Sequence, residues 1–210
     1  GFREATPVLE LPAEVEIAIG VAPAGSAGPE DIIASFPVTL ADGGSYLVMA
    51  TGVLDDTLPG NPDGLDTAFT LNVFPELDFM AASGTVDANV YHGSPDAPTV
   101  DAQVMMGPIV VDDLAYGEFT GYANLPASDL VLEITPGSDN DTVVVAYDAP
   151  LSLLDGAGVV IFASGFLGSD GSLPPFGLFV ALEDGSVLEL HEASVATENT
   201  SLTDVKAMFE

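Results

Sequence analysis

Two imidazoles, His92 and His191, stand among 33 Asp and Glu residues in a chain without cysteine. A nucleophile–base–acid set needs a histidine oriented by a carboxylate beside a hydroxyl. The segment His92-Gly93-Ser94-Pro95-Asp96-Ala97-Pro98-Thr99-Val100-Asp101 brings those groups together in sequence. Each proline fixes φ and biases its predecessor toward extended backbone, while Asp96 can cap the turn through its own backbone. The segment therefore reads as a rigid turn, with His92 at a strand end in a structural His–Asp hydrogen bond. Nothing around His191 resembles a nucleophile elbow, and the chain has no phosphate loop, dinucleotide fingerprint or His-Glu-x-x-His. A carboxylate pair could hydrolyse a glycoside, but with so many acids sequence alone selects none. No residue is assigned a catalytic role, and no cofactor is expected beyond a candidate Ca²⁺.

The calcium candidate is the loop Asp55 to Asp66, in which Asp55, Asp56, Asn61, Asp63 and Asp66 supply side-chain oxygens between Gly and Pro residues. Hard cations favour such oxygen cages. It is not an EF-hand, because Pro59 stands where the first aspartate belongs and no Glu closes the loop. The competing reading is a solvated turn whose acids cap their own backbone. Ser138 to Asp141 is a smaller candidate of the same kind. Asp-Thr-aliphatic triplets make Thr57, Thr67 and Thr142 candidate O-glycosylation sites, and Asn140 and Asn199 fit the N-linked pattern.

The charge narrows the partners. One Arg (Arg3) and one Lys (Lys206) leave a net charge of -31. Phosphate-backbone binding needs clustered Lys and Arg, which excludes nucleic acid and anionic membrane surfaces. Such self-repulsion is tolerable in high salt, with bridging divalent cations or in acid. Stability must come from apolar burial and backbone hydrogen bonds, for which 48% hydrophobic residues suffice. The chain opens on Gly1 with no basic-then-apolar leader, the expectation being a processed or excerpted chain. The longest uncharged apolar stretch, Gly156 to Gly168, is too short for a membrane span and reads as a buried strand.

The elements that would position these residues are strands. Short apolar runs alternate with Gly, Pro, Asp and Asn turns at sandwich-like spacing. Strands are predicted at Glu14 to Val21, Asp31 to Leu40, Ser45 to Val53, Ala68 to Phe74, Thr85 to His92 and Val100 to Met105. Others follow at Asp129 to Thr135, Thr142 to Tyr147, Gly158 to Gly165, Phe176 to Leu182 and Ser186 to Leu190. Asp31 to Ser35 could begin as a helical turn, and Leu202 to Phe209 could form a short helix.

Ordered matches recur at an offset of about 113. Leu11-Pro12-Ala13 falls on Leu125-Pro126-Ala127, and Val15 to Ile19 on Leu130 to Ile134. Further on, Leu40 to Gly43 falls on Leu153 to Gly156, Ala50 to Leu54 on Ala163 to Leu167, and Ala68 to Leu71 on Pro175 to Leu178. The expected fold is all-β: two tandem antiparallel β-sandwich (Ig-like) repeats, the first lacking its N-terminal strands. Residues 1–84 form the incomplete repeat, 85–193 the complete one, and 194–210 a tail, linker or donor segment. About thirty residues, from Thr85 on, have no counterpart in the first repeat. An upstream segment, a neighbouring subunit that donates strands, or the tail folding back could each fill that gap. Self-association through the open edge of the first repeat is thus an expected partner mode, beside cations or surface glycans.

Tyr91 to Asp101 resembles the hallmark of a bacterial and archaeal family of secreted domains of unknown function, with a His-x-Ser-Pro-Asp-Ala-Pro-x-Val-Asp segment near the start of each repeat. LADGGSYLVMATGVL and LLDGAGVVIFASGFL look like that family's inner strands. The resemblance implies a secreted tandem-repeat protein without established chemistry, whose motif residues His92, Ser94, Pro95, Asp96, Pro98 and Asp101 form a structural turn. The function expected is a non-catalytic structural or adhesive component of the cell surface, with a fibre subunit completed by strands from another as its specific form. A secreted carbohydrate- or ligand-binding module is the second reading, disfavoured by the absence of Trp; a hydrolase is the third.

Overall fold

The computed structural model describes residues 1–55 and 57–194; Asp56, Asn199 and the tail beyond Ser194 lie outside them. Among the described residues there is no α-helix, only fourteen strands and two 3₁₀ turns. The chain is all-β, as its turn spacing predicts. The 3₁₀ turn Pro29–Asp31 precedes rather than begins the strand expected from Asp31.

Residues 85–194 build a sandwich of two five-stranded sheets. One sheet holds β5 (Thr85–Gly93), β8 (Phe119–Pro126), β11 (Gly158–Ser164), β12 (Gly177–Ala181) and β13 (Val187–Glu189), in the order β13-β12-β11-β5-β8. The other holds β6 (Val100–Val104), β7 (Ile109–Leu114), β9 (Asp129–Pro136), β10 (Val145–Pro150) and β14 (His191–Glu192), in the order β14-β10-β9-β6-β7. Alternation sends Val86 and Ala88 of β5, Leu132 and Ile134 of β9, Tyr147 of β10, and Val159 and Ile161 of β11 into one core. Each such fully buried Val, Leu or Ile side chain is worth about 1.5–3 kcal/mol.

Two features depart from the expectation of an antiparallel sandwich. β5 and β11 pair in parallel, Val90 opposite Ile161. β7 and β8 were not foreseen: Asp112 and Asp113 break the apolar run of β7, while Gly121 and Asn124 interrupt β8, which also shifts register near Asn89 and Tyr91. Neither strand carries the clean alternation that marks its neighbours.

Residues 1–84 fold differently. Their described residues hold two separate hairpins, β1 (Glu16–Val21) with β2 (Ala34–Thr39), and β3 (Tyr46–Thr51) with β4 (Thr70–Pro75). Thr51 is the one buried residue among those described in this half. The β3–β4 hairpin lies on the outer face of the sheet that contains β5. There Met49 and Phe119 pack against Tyr91, Phe162 and Phe179, and the Phe74 ring stands 5.5 Å from Phe119 and 6.0 Å from Tyr122. Asn72 donates to the Tyr91 hydroxyl at 3.0 Å and to the Gly117 carbonyl at 2.8 Å.

The two hairpins share detailed geometry with β9–β10 and β11–β12. Ile19 faces Phe36 as Leu132 faces Tyr147, so the ladder sets Ile19 on Leu132, two residues from the Ile134 that sequence matching gives it, and Val48 faces Val73 as Ile161 faces Val180. Phe36 and Phe69 ring centroids are 6.2 Å apart; Tyr147 and Phe176 are 6.4 Å apart. A parallel bridge joins Val53 to Ala68, and another joins Phe166 to Pro175. The preceding glycines, Gly52 and Gly165, both have left-handed φ, +88° and +93°. A Cβ on either would strike the facing carbonyl, of Ala68 or Pro175.

Candidate functional site

Where β5 ends and β6 begins, the chain must reverse between two sheets, and Ser94 to Pro98 makes that crossing. The Ala97 N–H closes the turn on the Ser94 carbonyl at 3.4 Å, and Pro95 and Pro98 are buried with it. His92 is 1% exposed. The Ser94 N–H donates to His92 Nδ1 at 3.3 Å, so Nδ1 is the acceptor nitrogen and the proton sits on Nε2. Nε2–H then donates to the Pro98 carbonyl at 3.0 Å. Burial holds the imidazole pKa below its ordinary value, which keeps it neutral. Its ring stands edge-on to Tyr116, with centroids 6.1 Å apart.

The expected His–Asp hydrogen bond is absent from this arrangement. Asp96 points away from the imidazole and serves the β11–β12 loop: Oδ1 accepts the Leu167 N–H at 2.7 Å and Oδ2 the Gly168 N–H at 2.8 Å. Two backbone donors in fixed directions suit a carboxylate better than one imidazole N–H, which the Pro98 carbonyl already occupies. Nor does Asp96 cap the backbone of its own turn; it caps a loop 71 residues downstream. The fully buried Ser94 hydroxyl donates to the Gly165 carbonyl at 2.8 Å, in that same loop. Buried Asp101 accepts the Asp113 N–H at 2.5 Å, tying β6 to β7. Apart from a long Ser94 hydroxyl–Asp96 Oδ1 contact at 3.4 Å, these polar groups are spent on backbone.

The loop read as a calcium cage is divided among other tasks. Asp55 Oδ1 accepts the N–H and hydroxyl of Thr57, and Asp66 Oδ1 accepts the Ala68 N–H. Asn61 Oδ1 accepts the Asp63 N–H, while its amide donates to the Ala97 carbonyl at 2.9 Å. Asp63 Oδ2 accepts the N–H and hydroxyl of Thr99 at 2.7 and 2.9 Å. Asn61 and Asp63 therefore dock the first half onto the turn after β5. No group of three or more His, Cys, Asp or Glu placed to hold a metal occurs among the described residues. The remote partners of Asn61 and Asp63 left no local sequence signal, because a side chain aimed at a distant carbonyl or amide looks the same as one that caps its own loop.

Three of the glycosylation candidates, Thr57, Thr142 and Asn140, are likewise engaged. The Thr57 hydroxyl donates to Asp55 and the Thr142 hydroxyl to Asp139, both at 2.6 Å, and Asn140 Oδ1 accepts the Thr135 hydroxyl at 3.2 Å. Thr57 is exposed, whereas Thr67, Thr142 and Asn140 are half-buried. His191 is exposed on β14, opposite Asp148 of β10.

The single arginine was not foreseen as a structural residue. Its guanidinium donates to the carbonyls of Ser164 (2.9 Å) and Pro175 (2.5 Å), and lies 4.3 Å from the Phe179 ring centroid. It pins the N-terminal segment to the β11–β12 turn. A shallow groove of about 460 Å³, lined by Phe79, Leu153, Leu154, Asp155, Leu182 and Asp184, opens elsewhere and contains none of the motif residues.

No helix of the described residues is long and apolar enough to cross a membrane. No curated protein and no solved structure matches the chain. A family model does match one stretch, from the second residue of β5 to the first of β12, and on it residues 86–177 form a domain of unknown function, DUF4397.

Proposed function

We propose that this chain is a non-catalytic, extracellular structural or adhesive module of the tandem-repeat type that the His92 to Asp101 segment resembles. The observation that carries this reading is the use made of the motif. Both nitrogens of His92, the hydroxyl of Ser94 and the carboxylate of Asp96 hold backbone in place, and His92 and Ser94 are closed off from solvent. A base whose lone pair is already taken and whose ring is buried has no proton to trade with a substrate. The motif is a lock that holds the β5–β6 crossing to the β11–β12 loop. The acidic surface supports exposure to salt or divalent cations, and the recurring hairpin geometry supports a tandem origin for the two halves.

Antibody raised against the chain is expected to label intact source cells; label that appears only after permeabilisation overturns the surface assignment. His92→Gln should retain whatever adhesion the protein mediates in proportion to its folded fraction. An activity lost in a fully folded His92→Gln protein overturns the structural role.

A further inference from the structure

We propose that the free edges of β1 and β3 form a docking site for a strand block of the β5–β7 type, contributed by a further repeat. This deepens the structural-module reading and rests on it.

The second half supplies the template. β9 receives β6 on the edge away from β10, antiparallel, with Ala102 opposite Ile134. β11 receives β5 on the edge away from β12, parallel, with Val90 opposite Ile161. In the first half the corresponding strands are β1 and β3, and among the described residues neither edge is paired. The matching registers, aromatic pairs, parallel bridges and left-handed glycines show that the two hairpin sets share one backbone plan.

The side chains carry the same imprint. Ile19, Phe36, Val48 and Val73 stand where Leu132, Tyr147, Ile161 and Val180 stand in the other set. The latter four are all within the core, between 1% and 4% exposed; Val48 is 38% and Val73 42% exposed. An edge strand that must stay unpaired usually carries Lys, Pro or a bulge. β1, EIAIGV, has none of these and pairs with β2 without a register shift.

The occupant has a defined chemistry. It is an extended strand with small or aliphatic residues at alternate positions, like Val86, Ala88 and Val90, laid parallel on β3. A second strand like Val100 to Val104 follows, laid antiparallel on β1. A second copy of residues 1–210 has no such block to spare. It contains one, and that one is held by Val86 and Ala88, which are fully buried in its own core.

The test grafts a second copy of residues 85–115 directly before Gly1 of the full chain and compares amide hydrogen exchange in graft and parent. The outward amides of β1 and β3 are expected to exchange freely in the parent and to slow by about tenfold or more in the graft. Val48→Ala should leave the parent's Tm nearly unmoved and lower that of the graft. A free peptide of residues 85–115, added to the parent at rising concentration, should slow the same amides. If they stay fast both in the graft and with saturating peptide, the proposal falls. It falls equally if they are already slow in the parent. Protection lost on dilution would then identify a second copy as the occupant, and protection lost on deleting residues 195–210 would identify the chain's own tail.

Discussion

Asp63 receives both hydrogen-bond donors of Thr99 on a single carboxylate oxygen, and so fastens the loop of the first half to the turn that leaves β5. Because Asn61 grips the Ala97 carbonyl two residues earlier, the docking has two points. Removing one side is expected to uncouple the halves rather than unfold either. A double-mutant cycle of Asp63→Ala with Thr99→Val should give a coupling of about 0.5–1 kcal/mol, the low end for hydrogen bonds because the site is exposed. Additive effects in urea melts would mean that the hydroxyl contact contributes nothing.

Asp96 offers a sharper prediction. Both its oxygens accept backbone N–H groups, and Asp96→Asn would turn an NH₂ toward one of them. The expected loss is about 1.5–3 kcal/mol in denaturant melts, since hydrogen bonds to a charged acceptor are among the stronger ones. A neutral result would mean that the β11–β12 loop does not depend on the carboxylate.

His92 should give the protein a pH dependence of stability. Burial lowers its pKa in the folded state, so below about pH 6.5 the unfolded chain binds a proton that the folded chain refuses. The contribution is fully present above pH 6.5 and is lost as pH falls below it, with a slope of up to about 1.4 kcal/mol per pH unit. In His92→Gln, where the amide can still donate to the Pro98 carbonyl, that slope should vanish between about pH 5 and pH 6.5, above the range where carboxylates titrate. Chemical melts across this window, compared with the parent, decide it.

Equivalent positions in the two hairpin sets should respond unequally to truncation. Ile161→Ala removes a fully buried side chain and is expected to cost about 2–5 kcal/mol. Val48→Ala, at the matching position on β3, should cost less than about 0.5 kcal/mol, the usual range for exposed sites. Comparable losses would mean that the face of β3 is covered.

With 33 acids and two basic residues, the fold should gain from screening. Tm is expected to rise steadily as NaCl goes from about 0.05 M to about 1 M. A flat profile would mean that the carboxylates are spaced widely enough not to repel one another.

Much of this architecture was legible in the residues. The alternation of Val15, Ile17 and Ile19 marks β1, and the continuous run from Gly158 marks β11, buried on both faces. The ordered glycines Gly43, Gly52, Gly156 and Gly165 all take left-handed φ. What sequence could not carry was direction and reach. Parallel pairing of β5 with β11 leaves no local trace, because both strands would read the same in an antiparallel sheet. The partners of Asp96 and Asp63 lie 71 and 36 residues away, so a local reading gave one to its own turn and the other to a cation. Arg3, the lone guanidinium, gave no hint that two carbonyls and an aromatic ring would hold it.

The parallel pair has a kinetic corollary. Val90 and Ile161 meet across a loop of about 70 residues, and closing it costs chain entropy before any ladder contact repays it. Refolding of this half is therefore limited by a late long-range encounter, in the millisecond-to-second range typical of non-local β topologies. During synthesis β5 leaves the ribosome well before its central neighbour exists, and its apolar face waits with β8 for β11 to arrive.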